Sequence, residues 1–152
     1  MVSSDKRAQP EATMEELYYA LKRYTPAVRR DRRLQGASVD TITVRSPICG
    51  SQLTLDTVME NGRVKELGWK VRACALGQAV TAIIIEHLDE LDHKTVQTVA
   101  AQLQATLKGE GRGCDWPELD VFAGAKEITS RHESAMLPFR ALEQLFERAR
   151  DF

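Results

Sequence analysis

The chain is poor in the residues that usually carry catalytic chemistry, with three histidines and three cysteines among 152 residues. It contains no HExxH motif and no paired CxxC motif, and no combination of a nucleophile and a base indicates a catalytic triad. No internal repeat or low-complexity segment is present either. The sequence therefore does not predict an independent enzyme.

Long apolar runs are also missing. No stretch approaches the roughly 18 apolar residues that a membrane-spanning helix needs, and residues 1–13 lack the apolar centre of a signal peptide. An odd number of cysteines is not typical of a secreted disulfide scaffold. We therefore expect a cytoplasmic protein without a membrane partner.

Length and composition are those of an ordinary globular domain. The hydrophobic content is 43%, the charged content is 28% and the formal net charge is −1, so nothing in the overall charge favours nucleic acid or a membrane surface. We predict a flexible leader over residues 1–12 and a single domain over residues 13–152, a length sufficient to bury a core.

One strongly charged run covers residues 22–33, which read KRYTPAVRRDRR. Such a run can bind nucleic acid or an acidic protein surface. No groove-reading element accompanies it, so we expect no nucleic-acid partner. The alternatives that stay open are a solvated helix with its linker, or a docking surface for an acidic protein.

A three-stranded antiparallel sheet is predicted in the first half of the chain. Residues 38–45, 52–59 and 64–71 each alternate polar and apolar side chains, the two-residue period of a half-buried strand. Asn61 and Gly62 separate the last two strands, and both tolerate the positive φ angles of a tight hairpin turn.

Helical periodicity predicts five helices around this sheet. They are a first helix that opens at Glu11 or Thr13 and is interrupted at Pro26, a core helix over 75–91 lying across the sheet, a helix over 93–107 capped by Asp92, and two amphipathic helices over 118–129 and 134–150. His87, within the apolar stripe of the core helix, is interpreted as a hydrogen-bonded histidine at the edge of the core. The predicted fold class is α+β.

Two cysteines flank the predicted hairpin. Cys49 precedes its first strand in a turn with Gly50, and Cys74 follows its second strand at the start of the core helix. Folding the hairpin brings both toward the same end, and a helix N-terminus favours the thiolate, the form that binds metals and attacks sulfur. The other interpretation is that each cysteine is a small buried hydrophobe.

The residues around these cysteines resemble the NifU and IscU family of iron-sulfur cluster assembly scaffolds. Residues 46–50, SPICG, are similar to the family's Asn-Pro-x-Cys-Gly block, and residues 73–75, ACA, are similar to its Gly-Cys-Ala block. The resemblance covers residues 39–88 well. It implies the family's fold, a sheet packed against several helices.

A third block, RHESAMLPF at residues 131–139, is similar to the family's Arg-x-x-Cys-x-x-Leu and places Ser134 where the third cysteine belongs. The long stretch between Cys74 and Ser134 is most similar to the SufU branch. Ser51 stands where the family has an aspartate after Cys-Gly. Two of the four ligand positions are therefore hydroxyls, which are poor ligands for zinc and for iron-sulfur clusters.

The resemblance implies that Cys49 and Cys74 bind iron, zinc or a transient iron-sulfur cluster. His132, an imidazole near the third block, is a candidate third ligand, or else a surface or helix-capping residue. Cys114 lies in a glycine-rich loop that could approach the site and replace the missing thiol. Its alternatives are an unpaired or a packed thiol. The glycine-rich loop itself is not a phosphate-binding loop, since the Gly-Lys-Ser/Thr order is missing.

Three functions stay open at this point. The first is an assembly scaffold or accessory protein whose partners are a cysteine desulfurase and cluster-accepting proteins, with a site that two copies in a homo-oligomer could share. The second is a zinc-bound relay that accepts persulfide sulfur from a desulfurase. The third is a metal-free regulatory interaction module of the same fold.

Overall fold

The computed structural model describes residues 11–150, so the predicted flexible leader lies outside the described residues except for its last two positions. The regular elements are α1 (Met14–Tyr24), β1 (Asp40–Arg45), β2 (Gln52–Glu60), β3 (Arg63–Arg72), α2 (Ala75–Glu86), α3 (His93–Leu107) and α4 (His132–Arg150). Short 3-10 helices cover Thr25–Val28, Leu88–Glu90, Pro117–Ala125 and Thr129–Arg131. Within residues 11–150, no helix is long and apolar enough to cross a membrane.

The sheet has the order β1-β2-β3 with both pairs antiparallel, which confirms the predicted α+β class. Asn61 (φ 55°) and Gly62 (φ 77°) form the two-residue turn, as their tolerance of positive φ predicts. Gln52 lies opposite both Arg45 and Arg72. The turn before β2 and the end of β3 therefore meet at one end of the sheet.

The inner face of the sheet packs against α4. Leu53 and Leu55 of β2 are 1% exposed, and Phe139 and Leu142 of α4 are fully buried. α4 contacts β1 and β2, whereas α2 contacts α4, α1 and the β3 edge. The prediction that the helix after Cys74 lies across the sheet is therefore wrong, because the longer apolar stripe of α4 takes that place.

The helix predicted over 75–91 ends earlier, at Glu86. The backbone leaves the helical region at His87 (φ −105°, ψ 27°), where the imidazole stacks on Trp116 with ring centroids 4.2 Å apart. Its ring nitrogens lie 2.9 Å from Glu90 and 2.8 Å from Glu118. The interpretation of His87 as a hydrogen-bonded residue is confirmed, and these partners explain the early end of α2.

The prediction of an α-helix over residues 118–129 is wrong. The 3-10 helix Pro117–Ala125 replaces it, and α4 starts at His132, two residues before its predicted start. Gly124 accounts for the close packing of this segment, since a Cβ there would lie 2.7 Å from the carbonyl oxygen of Thr13. The segment therefore lies directly against α1.

Side-chain caps fix two helix starts. Thr13 accepts from the backbone N–H of Glu16 (3.0 Å), and the Glu16 carboxylate accepts from the N–H of Thr13 (2.9 Å), a reciprocal capping box. Asp92 accepts from the N–H of Thr95 (2.8 Å). The predicted starts of α1 and α3 are confirmed.

Part of the basic run is bound to the outer face of the sheet. Arg33 donates two hydrogen bonds, of 2.8 and 3.1 Å, to the carboxylate of Asp56, which is 0% exposed. Arg32 donates to the carbonyl oxygen of Leu67 (2.9 Å) and pairs with Trp69 through backbone hydrogen bonds. These arginines hold the segment before β1 in place.

Candidate functional site

Cys49 lies in the tight turn between β1 and β2. The N–H of Ser46 donates to the carbonyl oxygen of Ser51 (2.8 Å), and that of Gly50 donates to the carbonyl oxygen of Ser46 (3.1 Å). Gly50 has φ 74°, a conformation that favours glycine. The neighbouring Ile48 is 63% exposed, so this turn is at the protein surface.

Cys74 is the N-cap residue of α2, with extended backbone angles of φ −67° and ψ 172°. Strand β3 ends two residues before Cys74, at Arg72. The N–H of Cys74 donates to the hydroxyl of Ser51 (3.2 Å). The predicted position at the start of a helix is confirmed. This hydrogen bond ties the start of α2 to the residue that follows the Cys49 turn.

A continuous chain of four side chains connects the two thiols. The Cys49 thiol donates to the Ser51 hydroxyl (3.1 Å), the Ser51 and Ser134 hydroxyls are hydrogen-bonded (3.0 Å), and the Cys74 thiol donates to Ser134 (3.1 Å). Ser51 is 4% exposed and Ser134 is 0% exposed. The fold therefore brings both cysteines to one place, with two buried hydroxyls between them.

The environment of Cys49 favours its thiolate. The hydrogen bond with Ser51 has the largest effect on the pKa of Cys49, partial burial opposes it, and further hydrogen bonds with Ser46 and Ser134 add to it. Together these effects lower the pKa of the Cys49 thiol to about 7. A lowered pKa favours the thiolate, which is the form of cysteine that acts as a sulfur nucleophile.

Cys74 is more deeply buried, which by itself raises its pKa. Interactions with the Ser134 hydroxyl, with the backbone N–H groups of Gly77 and Leu76 and with the Arg131 side chain outweigh burial and hold the pKa of Cys74 below its ordinary value. The contributing N–H groups belong to the first turn of α2. The predicted effect of a helix N-terminus on this thiol is therefore present.

Three further residues belong to the site: Ser46 and Arg131, which lie within the blocks that resemble the family, and Gly77, whose place at the start of the core helix predicts a close approach of the backbone beside Cys74. Ser46 donates to the carboxylate of Glu133 (3.1 Å) and lies 3.5 Å from the N–H of Cys49. Arg131, the residue before α4, helps to lower the pKa of Cys74. Gly77 leaves room for Ser134, since a Cβ there would lie 2.9 Å from its hydroxyl. The three-residue spacing of Arg131 and Ser134 was the available signal for Arg131.

His132 and Cys114 lie in other surroundings. The His132 Nε2 atom is 2.8 Å from the carbonyl oxygen of Ala125. The Cys114 thiol lies 3.5 Å from the hydroxyl of Thr106, and burial raises the pKa of Cys114 to about 12. All three cysteines are free. Among residues 11–150, no group of three or more His, Cys, Asp or Glu side chains is placed to hold a metal ion.

Comparison with solved structures identifies the fold. The chain is similar to an N-terminal NifU-like protein from Brucella abortus, with a TM-score of 0.79 and 23% identity over 91% of this chain and 99% of that one. The chain has the NifU-like fold. A putative iron-sulfur cluster assembly scaffold protein of the SUF system from Fervidobacterium islandicum AW-1 is similar with a TM-score of 0.69 and 17% identity, over 82% and 91% of the two chains. No protein-family model and no curated protein matches the sequence.

Within this NifU-like fold, the two hydroxyls occupy the interior of the candidate site. Ser51 and Ser134, the positions at which the resemblance places an aspartate and a cysteine, both lie between the thiols of Cys49 and Cys74. Each hydroxyl can donate and accept a hydrogen bond, unlike an ionised aspartate, which only accepts. The candidate site thus contains two thiols and two neutral hydroxyls.

Proposed function

We propose that this protein takes part in iron-sulfur cluster assembly, as a scaffold or accessory protein that holds iron, zinc or a transient cluster through Cys49 and Cys74. The observation that carries the proposal is the hydrogen-bonded chain that joins these two thiols within a NifU-like fold. Iron and zinc both bind thiolates well, and the environment of each cysteine favours that form.

The composition of the site favours transient over permanent binding. Zinc sites and iron-sulfur clusters usually have four protein ligands, mostly thiolate or imidazole, whereas Ser51 and Ser134 offer neutral hydroxyls. Two thiolates alone leave the other positions to sulfide, water or a donor from a second copy of the chain. His132 can become the third ligand only if its ring leaves the carbonyl oxygen of Ala125. A cargo held in this way passes readily to a cluster-accepting protein.

Purification without oxygen, followed by reconstitution with iron and sulfide, tests this proposal. We expect visible charge-transfer absorption that disappears in Cys49→Ser and in Cys74→Ser and persists in Cys114→Ser, the matched control thiol. Equal absorption in all four proteins would place the iron elsewhere. Absence of bound iron and zinc in every protein would overturn the proposal and leave the metal-free interaction module.

A second function, sulfur transfer, is favoured by the ionisation of Cys49. Its thiol lies in a surface turn and has a pKa of about 7, so it is suited to attack the outer sulfur of a persulfide carried by a cysteine desulfurase. The product would be a persulfide on Cys49. Incubation of the Cys74→Ser variant, in which Cys49 is the only thiol of the site, with a desulfurase and its substrate should add one sulfur atom to Cys49, as mass analysis of the chain would show. Absence of that sulfur would exclude the relay.

A further inference from the structure

Cys49 and Cys74 occupy unequal positions in the candidate site. Cys49 lies in a surface turn beside the exposed Ile48, whereas the partly exposed Cys74 is the N-cap residue of α2, and its thiol contacts the fully buried Ser134. A surface thiol that is connected through two hydroxyls to a second, anchored thiol is an arrangement that suits a nucleophilic and a resolving cysteine. The structure thus allows chemistry at these sulfurs that does not involve a metal.

We propose that Cys74 resolves a persulfide formed on Cys49, so that the pair releases sulfane sulfur as hydrosulfide and becomes a Cys49–Cys74 disulfide. This inference rests on the sulfur-transfer function proposed above, because that function supplies the persulfide. It adds a chemical role for Cys74 that metal binding does not require. It also adds a product, hydrosulfide, which is the form of sulfur that iron takes up in a cluster.

The step balances without an external reductant for one turnover. The Sγ atom of Cys74 attacks the Sγ atom of Cys49, and a bond forms between them. The bond from Cys49 Sγ to the outer sulfur breaks, and the outer sulfur leaves with the electron pair. The Cys74 sulfur is oxidised from the thiol to the disulfide level, the Cys49 sulfur keeps the oxidation level that it has in the persulfide, and the outer sulfur is reduced to the level of sulfide. A thiol reductant must then reduce the disulfide before a second turnover.

The leaving sulfur needs a proton, because a persulfide anion would otherwise have to expel doubly charged sulfide. The Cys74 thiol carries that proton and donates to Ser134 (3.1 Å), which is hydrogen-bonded to Ser51 (3.0 Å), which in turn contacts Cys49 (3.1 Å). Both serine hydroxyls donate and accept. The two hydroxyls can therefore carry the proton from the attacking cysteine toward Cys49, where the outer sulfur of the persulfide is bound and takes up the proton as it leaves.

The loop that holds Cys49 permits the approach of the two sulfurs. Cys49 lies outside β2, in a turn whose direction changes at Gly50 (φ 74°). Cys74 is anchored through its N–H to Ser51 (3.2 Å) and through the first turn of α2. Formation of the disulfide therefore requires movement of the surface turn and leaves the helix in place.

The test loads the reduced, chelator-treated full chain with inorganic polysulfide in the absence of oxygen, removes the excess and follows the intact mass. We expect Cys74→Ser to retain one added sulfur atom on Cys49. The unsubstituted chain and Cys114→Ser should instead lose two hydrogens and yield a peptide that joins Cys49 to Cys74. Both should release hydrosulfide. The unsubstituted chain without polysulfide, kept under the same conditions, should remain a dithiol.

The outcomes separate this inference from the function on which it rests. A persulfide that persists on Cys49 in the unsubstituted chain as long as in Cys74→Ser would overturn the resolving role and leave sulfur transfer intact. No sulfur on Cys49 in any protein would overturn sulfur transfer itself.

A separate variant, Ser134→Ala, tests the path of the proton. Ser134→Ala should accept sulfur on Cys49 but form the disulfide about tenfold more slowly or worse, because positioned proton transfer contributes at least that much to many reactions. The persulfide should then be visible as an intermediate in the time course. Disulfide formation at the unsubstituted rate would exclude a role for the hydroxyl of Ser134.

Discussion

Gly77 of α2 and Ser134 of α4 are in such close contact that a Cβ on Gly77 would lie 2.9 Å from both the hydroxyl and the carbonyl oxygen of Ser134. The carbonyl belongs to the backbone of α4 and cannot rotate away. The absence of a side chain at Gly77 therefore allows the two helices to approach until Ser134 reaches Cys74.

We predict that Gly77→Ala separates the two helices and disrupts the candidate site. Inserting a methyl group into a packed interior usually costs about 1–3 kcal/mol, offset by up to about 1 kcal/mol because alanine favours a helix. The free energy of unfolding should fall modestly, whereas reconstitution with iron and sulfide should fall strongly.

Gly124→Ala is the matched control for this substitution. Its Cβ would lie 2.7 Å from the carbonyl oxygen of Thr13 in α1, a comparable overlap with backbone in a different contact. This variant should lose stability and keep the reactivity of Cys49 and Cys74. If both variants reconstitute equally well, the approach of Gly77 to Ser134 has no role in the site.

Alkylation should report the effect of Ser51 on Cys49. The Ser51 hydroxyl makes the largest contribution to the lowered pKa of Cys49, about 7, so Ser51→Ala should shift the pH–rate profile of Cys49 with iodoacetamide toward higher pH. Each pKa unit corresponds to about a tenfold lower thiolate fraction at pH values below the pKa. Mass mapping should show several-fold slower modification at pH 7. Cys114, whose pKa is raised to about 12, should remain unmodified in both proteins, and an unchanged Cys49 profile would contradict the assignment.

The sheet and the position of the two cysteines could be predicted because they depend on local chemistry. Alternation defines β2 and β3, and the Asn61-Gly62 turn places Glu60 opposite Arg63; an irregularity between Val58 and Met59 then shifts the pairing by one residue. Once the hairpin forms, residues just outside its two strands must meet. Local pattern was therefore sufficient to bring Cys49 and Cys74 together.

The interior of the site depends on contacts that the sequence does not display. The resemblance identified Ser51 and Ser134 as departures from the family's ligands. Their hydrogen bond (3.0 Å) joins Ser51, directly before β2, to Ser134 of α4, and no local pattern predicts that contact. Tertiary packing also decided that α4 lies on the sheet. Likewise, nothing in the local pattern places His132 against Ala125.

We predict that the protein loses stability in acid because Asp56 becomes protonated. Its buried carboxylate accepts from Arg33, from Thr41 (2.6 Å) and from the N–H of Leu34 (3.0 Å). Burial raises its pKa, but these hydrogen bonds outweigh it and hold the pKa of Asp56 below its ordinary value. A lowered folded-state pKa stabilises the protein above the unfolded value of about 3.9, and this stabilisation is lost as the pH falls through the folded value.

Asp56→Asn tests this assignment. Urea unfolding at neutral pH should show a loss of about 2–4 kcal/mol, because Arg33 loses its partner charge while the buried amide can satisfy fewer donors. The variant should also lose part of the acid dependence below about pH 5. Asp31→Asn, which affects an ion pair at the surface with Arg72, is the control and should change stability far less, because solvent screens an exposed ion pair. Equal effects of both substitutions would argue against a structural role for the buried carboxylate.

The contribution of His87 to stability should depend on pH in the opposite direction to that of Asp56. Burial lowers its pKa, but hydrogen bonds with Glu90 and Glu118 outweigh burial and raise the pKa of His87 above its ordinary value. A raised folded-state pKa stabilises the protein fully below the unfolded value of about 6.5, and this stabilisation is lost as the pH rises through the folded value. Urea unfolding should therefore show a decline of stability above about pH 6.5 that is flatter in His87→Gln. The same slope in both proteins would assign the decline to another group.

Ser134→Cys should convert the transient site into a stable metal site. The substituted sulfur would lie next to Cys74 and beside Ser51, at the position where the resemblance places the third cysteine, and Gly77 has no side chain to obstruct it. Three thiolates bind zinc far better than two thiolates with hydroxyls, because zinc prefers sulfur and nitrogen ligands. We expect zinc in the purified protein to rise to one ion per chain, measured by metal analysis.

Ser38→Cys is the control for this prediction. It adds a thiol beside Arg148, near the opposite end of α4, and should leave the metal content unchanged. If Ser134→Cys binds no more zinc than that control, the three positions do not converge on one ion, and the proposal that Cys49 and Cys74 bind a common metal loses its geometric support.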